Sequence, residues 1–160
     1  MYVFYSHLAD ANINTLTQLA SEVEMVEARG RERRVGSNGG ISRYRNSRSF
    51  TWKHKQRELF KAQFPEKVIE RMHVGSFLEI TPAVGFLDRM TKWVDKPDAG
   101  VAVAYALNDD LTIYINDVEV LVAKGSGIGF SLSQVHEIKP TPTGQLWAIA
   151  LVRGTPEQFV

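Results

Sequence analysis

The stretch VAVAYALNDDLTIYINDVEVLVAKGSGIGFSLSQVHEIKPTPTGQLWAIALV, residues 101–152, decides the fold. It breaks into VAVAYAL, LTIYI, VEVLVA, IGFSL, VHEIK and QLWAIALV, short β-branched or aromatic runs cut off from one another by Asp, Asn, Gly and Pro. With GSFLEIT at 75–81 they make about seven strands with no helical periodicity between them, the pattern of a sandwich or jelly roll rather than a parallel sheet. Asn116-Asp117 separates LTIYI from VEVLV by two residues that tolerate positive φ, so residues 111–115 and 118–122 are expected to pair as a hairpin.

Upstream the pattern changes. YVFY at 2–5 reads as a strand, and Ile13, Leu16, Leu19, Ala20 and Val23 recur at helical spacing, with Asp10 or Asn12 available as the cap. Residues 23–26 can extend into a further strand, and RGRERRVGSNGG reads as a mobile connection. Leu59, Phe60, Phe64, Val68 and Ile69 suit two short helices, with Pro65 in the first turn of the second. The expected fold class is α+β: a jelly roll over 73–160, supported by helices and strands over 1–72, in a single domain spanning 1–160.

At 160 residues, 44% hydrophobic and 23% charged, the composition is that of one globular domain. There is no cysteine, which excludes a disulfide frame, a thiol nucleophile and a thiolate zinc site. No apolar run approaches the roughly 18 residues of a membrane span, and the first residues lack the basic and apolar regions of a signal peptide, so a cytoplasmic location without membrane contact is expected.

The net charge of +1 is unevenly spread: residues 1–28 carry −4, residues 29–57 carry +9 and residues 58–160 carry −4. Within the basic segment Arg43, Arg45, Arg48 and Lys53 are interleaved with Tyr44, Phe50 and Trp52, a mixture that contacts phosphates and stacks bases. Arg43, Tyr44, Arg45, Arg48, Trp52 and Lys53 are therefore candidates for binding an anionic partner, nucleic acid or an acidic protein surface. Strand alternation offers a plainer reading, in which the aromatics belong to the core and the arginines face water.

The glycine cluster KGSGIGF, 124–130, is followed by β-branched and aromatic residues instead of Lys-Ser or Lys-Thr and a helix, so it reads as a turn entering a strand and not as a phosphate loop. The histidines His7, His54, His73 and His136 have no zinc spacing, and no G-x-S-x-G nucleophile elbow occurs.

KGSGIGFSL followed by VHEIKPTPTGQLWAIALV resembles the C-terminal part of the iron(II)/2-oxoglutarate-dependent oxygenases of the prolyl-hydroxylase type. VGSNGGISRYRNSRSFTW, 35–52, and SFLEITP, 76–82, are similar to earlier strands of that family, so the resemblance covers nearly the whole chain. It implies a double-stranded β-helix and matches His136 to the distal iron ligand. The family's site needs a His, a carboxylate two residues later and that distal His. After Thr81-Pro82 this chain reads AVGFLDRMTKWVD, with no histidine between His73 and His136; one register puts Asp88 where the carboxylate belongs, with Phe86 at the histidine position, and the alternative registers put Arg89 and Thr91 there. The Arg or Lys that clamps the cosubstrate about ten residues past the distal His falls near Leu146, beside Trp147. The resemblance thus implies an oxygenase-like scaffold with a degenerate site, a pseudoenzyme working as a binding or structural module, without cofactor, in a virion or other assembly. Two alternatives stand beside it: an active iron(II)/2-oxoglutarate hydroxylase with His136 and Asp88 in an atypical ligand set, and a nucleic-acid-binding protein using segment 29–57. In the plain reading His136 is a half-buried ring bonded to backbone and Asp88 a turn residue.

Overall fold

A computed structural model describes residues 2–27, 44–47, 52–80, 100–138 and 141–160. In chain order the elements are β1 (Tyr2–Tyr5), α1 (Asp10–Glu22), β2 (Val26–Glu27), β3 (Tyr44–Ser47), α2 (His54–Ala62), α3 (Glu66–Ile69), β4 (Met72–Ile80), β5 (Val101–Ala106), β6 (Leu111–Ile115), β7 (Val118–Val122), β8 (Gly127–Ser131), β9 (His136–Glu137) and β10 (Gln145–Val152), followed by a 3-10 turn at Pro156–Phe159. The strands form a seven-stranded sheet in the order β1-β8-β5-β10-β4-β3-β2 and a three-stranded sheet in the order β7-β6-β9. Every pairing is antiparallel. This is the expected α+β arrangement, a double-stranded β-helix with helices on one face. No helix among the described residues is long and apolar enough to cross a membrane.

Strand alternation builds two apolar layers on the large sheet. On one face Val101, Val103 and Tyr105 of β5 and Ala148, Ala150 and Val152 of β10 meet Ile13, Leu16 and Leu19 of α1, Phe60 of α2 and Val68 of α3. On the other, Ala102, Ala104 and Ala106, Ile128, Phe130 and Trp147 meet Leu111, Ile113 and Ile115 of β6 and Val120 and Val122 of β7. Burying each of the Val, Leu, Ile and Phe side chains among these stabilises the fold by about 1.5–3 kcal/mol. Because β5 is covered on both faces, its sequence is a continuous apolar run, whereas β6, with one face toward water, alternates.

The glycine cluster enters β8 as a turn and strand. Gly125 has φ of +82°, and Gly127 and Gly129 lie under the rings of Tyr105 and Tyr5, where a Cβ would collide with each ring. Asn116 and Asp117 take φ of +49° and +65°, a type I′ turn, and β6 and β7 pair in the expected register from Ile115↔Val118 to Leu111↔Val122.

Three local expectations are corrected. Neither Asp10 nor Asn12 caps α1: Ala9 is the cap residue and makes no side-chain bond, while Asp10 lies in the first turn, where its charge faces the helix's positive end. Pro65 caps α3 from outside its first turn, and Leu59, counted among the apolar positions of α2, is 43% exposed.

Candidate functional site

His136 opens β9, where it pairs with Ile115. The I′ turn positions it: Asn116 donates its backbone N–H to the Val135 carbonyl at 2.7 Å, and Asn116 Oδ1 accepts the Val135 N–H at 3.2 Å. The preceding loop closes on itself through Gln134, whose N–H donates to the Ser131 carbonyl at 3.0 Å and whose Oε1 accepts the Ser131 N–H at 3.1 Å. His136 Nδ1 lies 2.8 Å from the Gln134 carbonyl. A carbonyl only accepts, so Nδ1 carries the proton and Nε2 the lone pair in the neutral ring. The half-buried imidazole sits 5.0 Å from the ring of Phe130, which is buried between the sheets.

Beyond His136, at the start of β10, Gln145 is the one buried polar side chain among the described residues. Its Oε1 accepts a hydrogen bond from Trp147 Nε1 at 2.9 Å. Trp147 is fully buried between the sheets, while Leu146 turns to the helix side, and its N–H donates to Asn108 Oδ1 at 2.9 Å. Sequence reading put the clamp position near Leu146. The side chains that enter the inter-sheet layer there are a neutral amide and an indole, and Gln145 escaped notice because a lone Gln before an apolar run gives no signal of its own.

Of the basic-segment candidates, Tyr44 and Arg45 lie on β3, opposite Ile80 and Glu79 of β4. Lys53 precedes α2, and its backbone N–H donates to Gln56 Oε1 at 3.0 Å. Arg43, Arg48, the mobile-connection reading of RGRERRVGSNGG, and Asp88 lie outside the described residues. Trp52 is corrected: it is buried, stacked on Phe77 at 5.6 Å and edge-on to Phe60 at 4.6 Å, so its ring is core and does not meet a partner. The plainer reading, in which the segment's aromatics belong to the core, agrees with the placement of Trp52, which lies outside β3.

The sequence matches no protein-family model. It matches no curated protein either. Solved structures do match it. A prolyl-4-hydroxylase from Pseudomonas putida is 15% identical with a TM-score of 0.64, covering 95% of this chain and 91% of that one. The viral collagen prolyl hydroxylase of Paramecium bursaria Chlorella virus-1, in complex with 2-oxoglutarate, is 10% identical with a TM-score of 0.60, covering 96% of each chain. HygX from Streptomyces hygroscopicus, with nickel, 2-oxoglutarate and hygromycin B bound, is 11% identical with a TM-score of 0.61, covering 99% of this chain and 95% of that one. At these identities the likeness is one of fold: the double-stranded β-helix expected from the sequence.

The described residues do not fit the iron and 2-oxoglutarate pair. Among the described residues no group of three or more His, Asp or Glu is placed to hold a metal ion. The sequence has no histidine between His73 and His136, so no His-x-Asp pair can form there. Even with Asp88, His136 would make a two-ligand set, too few to hold iron(II) against water. Where a cosubstrate carboxylate would need a guanidinium or ammonium, Gln145 and Trp147 bond to each other.

Proposed function

We propose that this chain is an oxygenase-like jelly-roll scaffold that works by binding, a catalytically degenerate module of a cytoplasmic or virion-associated assembly. The observation that carries this reading is the Gln145–Trp147 pair, which fills the inter-sheet layer where an oxygenase would clamp its cosubstrate. The rigid two-layer core supplies the platform, and Arg43, Tyr44, Arg45, Arg48 and Lys53 supply the contact surface. Their segment, with +9 over residues 29–57, suits a nucleic acid or an acidic protein face.

A competing reading is an active hydroxylase with an atypical ligand set. It draws on His136, whose Nδ1–H is held by the Gln134 carbonyl, the kind of bond that orients the ring of a metal-bound histidine and leaves Nε2 to face the metal. One experiment separates the two. Purified protein is supplied with iron(II), ascorbate and 2-oxoglutarate, and both metal content and succinate are measured. The scaffold reading expects no stoichiometric iron and no succinate above a protein-free control. Tight iron that His136→Ala abolishes, with succinate formed, would establish the enzyme instead.

A further inference from the structure

We propose that the open edge of β7 is a docking surface for a second copy of this chain, joining the two three-stranded sheets edge to edge about a two-fold axis through Val120. The proposal concerns a surface apart from the basic segment and does not rest on the scaffold reading.

In the order β7-β6-β9, strand β7 has one neighbour among the described residues. The two-residue turn closes on Ile115 and Val118, so that pair exchanges both ladder hydrogen bonds, and alternation assigns the same role to Ile113 with Val120 and Leu111 with Val122. Glu119 and Leu121 therefore aim their N–H and C=O groups at the open edge. No backbone hydrogen bond between described residues reaches those outward groups. Apart from Glu119 and its short length the edge is little protected: VEVLV has no Pro, no Lys and no bulge, and it leaves Val118 52% and Leu121 61% exposed.

The edge is complementary to itself in one register. With Val120 opposite Val120 of the second copy, each Glu119 faces Leu121 across the axis, and those two residues are the ones with outward backbone groups. Four inter-chain backbone hydrogen bonds result, Leu121 packs along the Glu119 stem, and Val118 gains the opposing Val122 as a neighbour. Sliding one way would set Glu119 against Glu119 of the other copy. Sliding the other way would call on the Ala123 carbonyl, which already accepts the Ser126 N–H at 2.8 Å. A short edge pairing of this kind makes a weak dimer, dissociating at about micromolar concentration.

The test is the mass of the intact protein in solution by sedimentation across about 0.1–200 µM, a range bracketing that constant. The expected result is a reversible rise toward twice the 18.0 kDa of the chain. Leu121→Lys, and separately Glu119→Pro, which removes an outward N–H while sparing the bonds to β6, should each raise the dissociation constant about tenfold or more. Leu59→Lys, at an exposed apolar site on α2, should leave it unchanged. Because the chain has no cysteine, Glu119→Cys/Leu121→Cys reports register against its two single variants: oxidation should give a covalent dimer when both cysteines are present and none with either alone. A chain that stays monomeric over the whole range overturns the proposal, and so does a dimer that Leu121→Lys and Glu119→Pro leave intact while circular dichroism shows both folded.

Discussion

Two tyrosines in the helix-side layer show how much a single partner matters. Tyr5 Oη donates to the Pro156 carbonyl at 2.7 Å, whereas Tyr105 Oη is buried with no hydrogen-bond partner among the described residues. A paired buried hydroxyl stabilises and an unpaired one costs its lost hydration, so the same substitution should act with opposite signs. Tyr5→Phe is expected to lower stability by about 1 kcal/mol and Tyr105→Phe to raise it by a similar amount, read as shifts of the urea midpoint at constant slope. A loss at Tyr105 equal to that at Tyr5 would refute the contrast. Both phenols titrate well above their ordinary 10.0, Tyr5 through burial and then the nearby Tyr105 and Glu157, Tyr105 through burial. Their folded pKa values are raised, so this contribution is intact below pH 10 and is lost as pH rises beyond it, when the unfolded chain ionises first. The decline above pH 10 should be shallower in the double Phe variant.

At the level of elements, legibility followed how local each signal was. The β6–β7 hairpin was readable because Asn116-Asp117 is itself the turn, and β8 because glycines before β-branched residues announce a strand. What Gly127 and Gly129 accommodate was not readable, since Tyr105 and Tyr5 reach them from other strands. The cap of α1 was misread for a related reason: Asp10 is a good cap by type, but the chain leaving β1 turns into the helix one residue earlier. At the site, His136 was visible from its setting, whereas the facing of Leu146 and Trp147 depends on the register of β10 against β4 and β5. Segment 29–57 was legible as charge alone, and its expected behaviour follows from charge. Polyanion binding should fall steeply with salt, because phosphate contacts release counterions. Replacing Arg43, Arg45 and Arg48 with Ala should flatten the plot of log K against log salt by about two to three units without unfolding the protein. A fluorescent single-stranded oligonucleotide titrated at several salt concentrations checks this. Binding indifferent to salt, or absent at low salt, would move the segment's use to a protein interface.

For the whole molecule, the question is whether the helical first part and the strand-rich second part are one folding unit. The layer on the helix side is composed of both. Leu16, Leu19, Phe60, Phe64 and Val68 from the first 72 residues cover Val103, Tyr105, Ala148, Ala150 and Val152 from the rest, and Phe159 of the final 3-10 turn closes the same cluster. The strands are shared too: β1 pairs with β8 at one side of the large sheet, and β3 pairs with β4 toward the other. A chain beginning at residue 73 would therefore expose one whole face of the sheet and two unpaired strand flanks, losing several side-chain burials of about 1.5–3 kcal/mol each. Uncovering about half a dozen such side chains costs about 9–18 kcal/mol, comparable to the whole margin of about 5–15 kcal/mol by which domains of ordinary size are stable. Urea unfolding of the intact chain is accordingly expected to give one transition, with the same midpoint by far-UV circular dichroism and by tryptophan fluorescence. With the third tryptophan replaced in all samples (Trp93→Phe), fluorescence is a fair witness, because Trp52 lies in the helix-side layer and Trp147 in the layer between the sheets, so each core has its own reporter. Separate midpoints for Trp52→Phe and Trp147→Phe, beyond the change in stability that each substitution causes, would show that the layers come apart independently and that the chain holds two cooperative units.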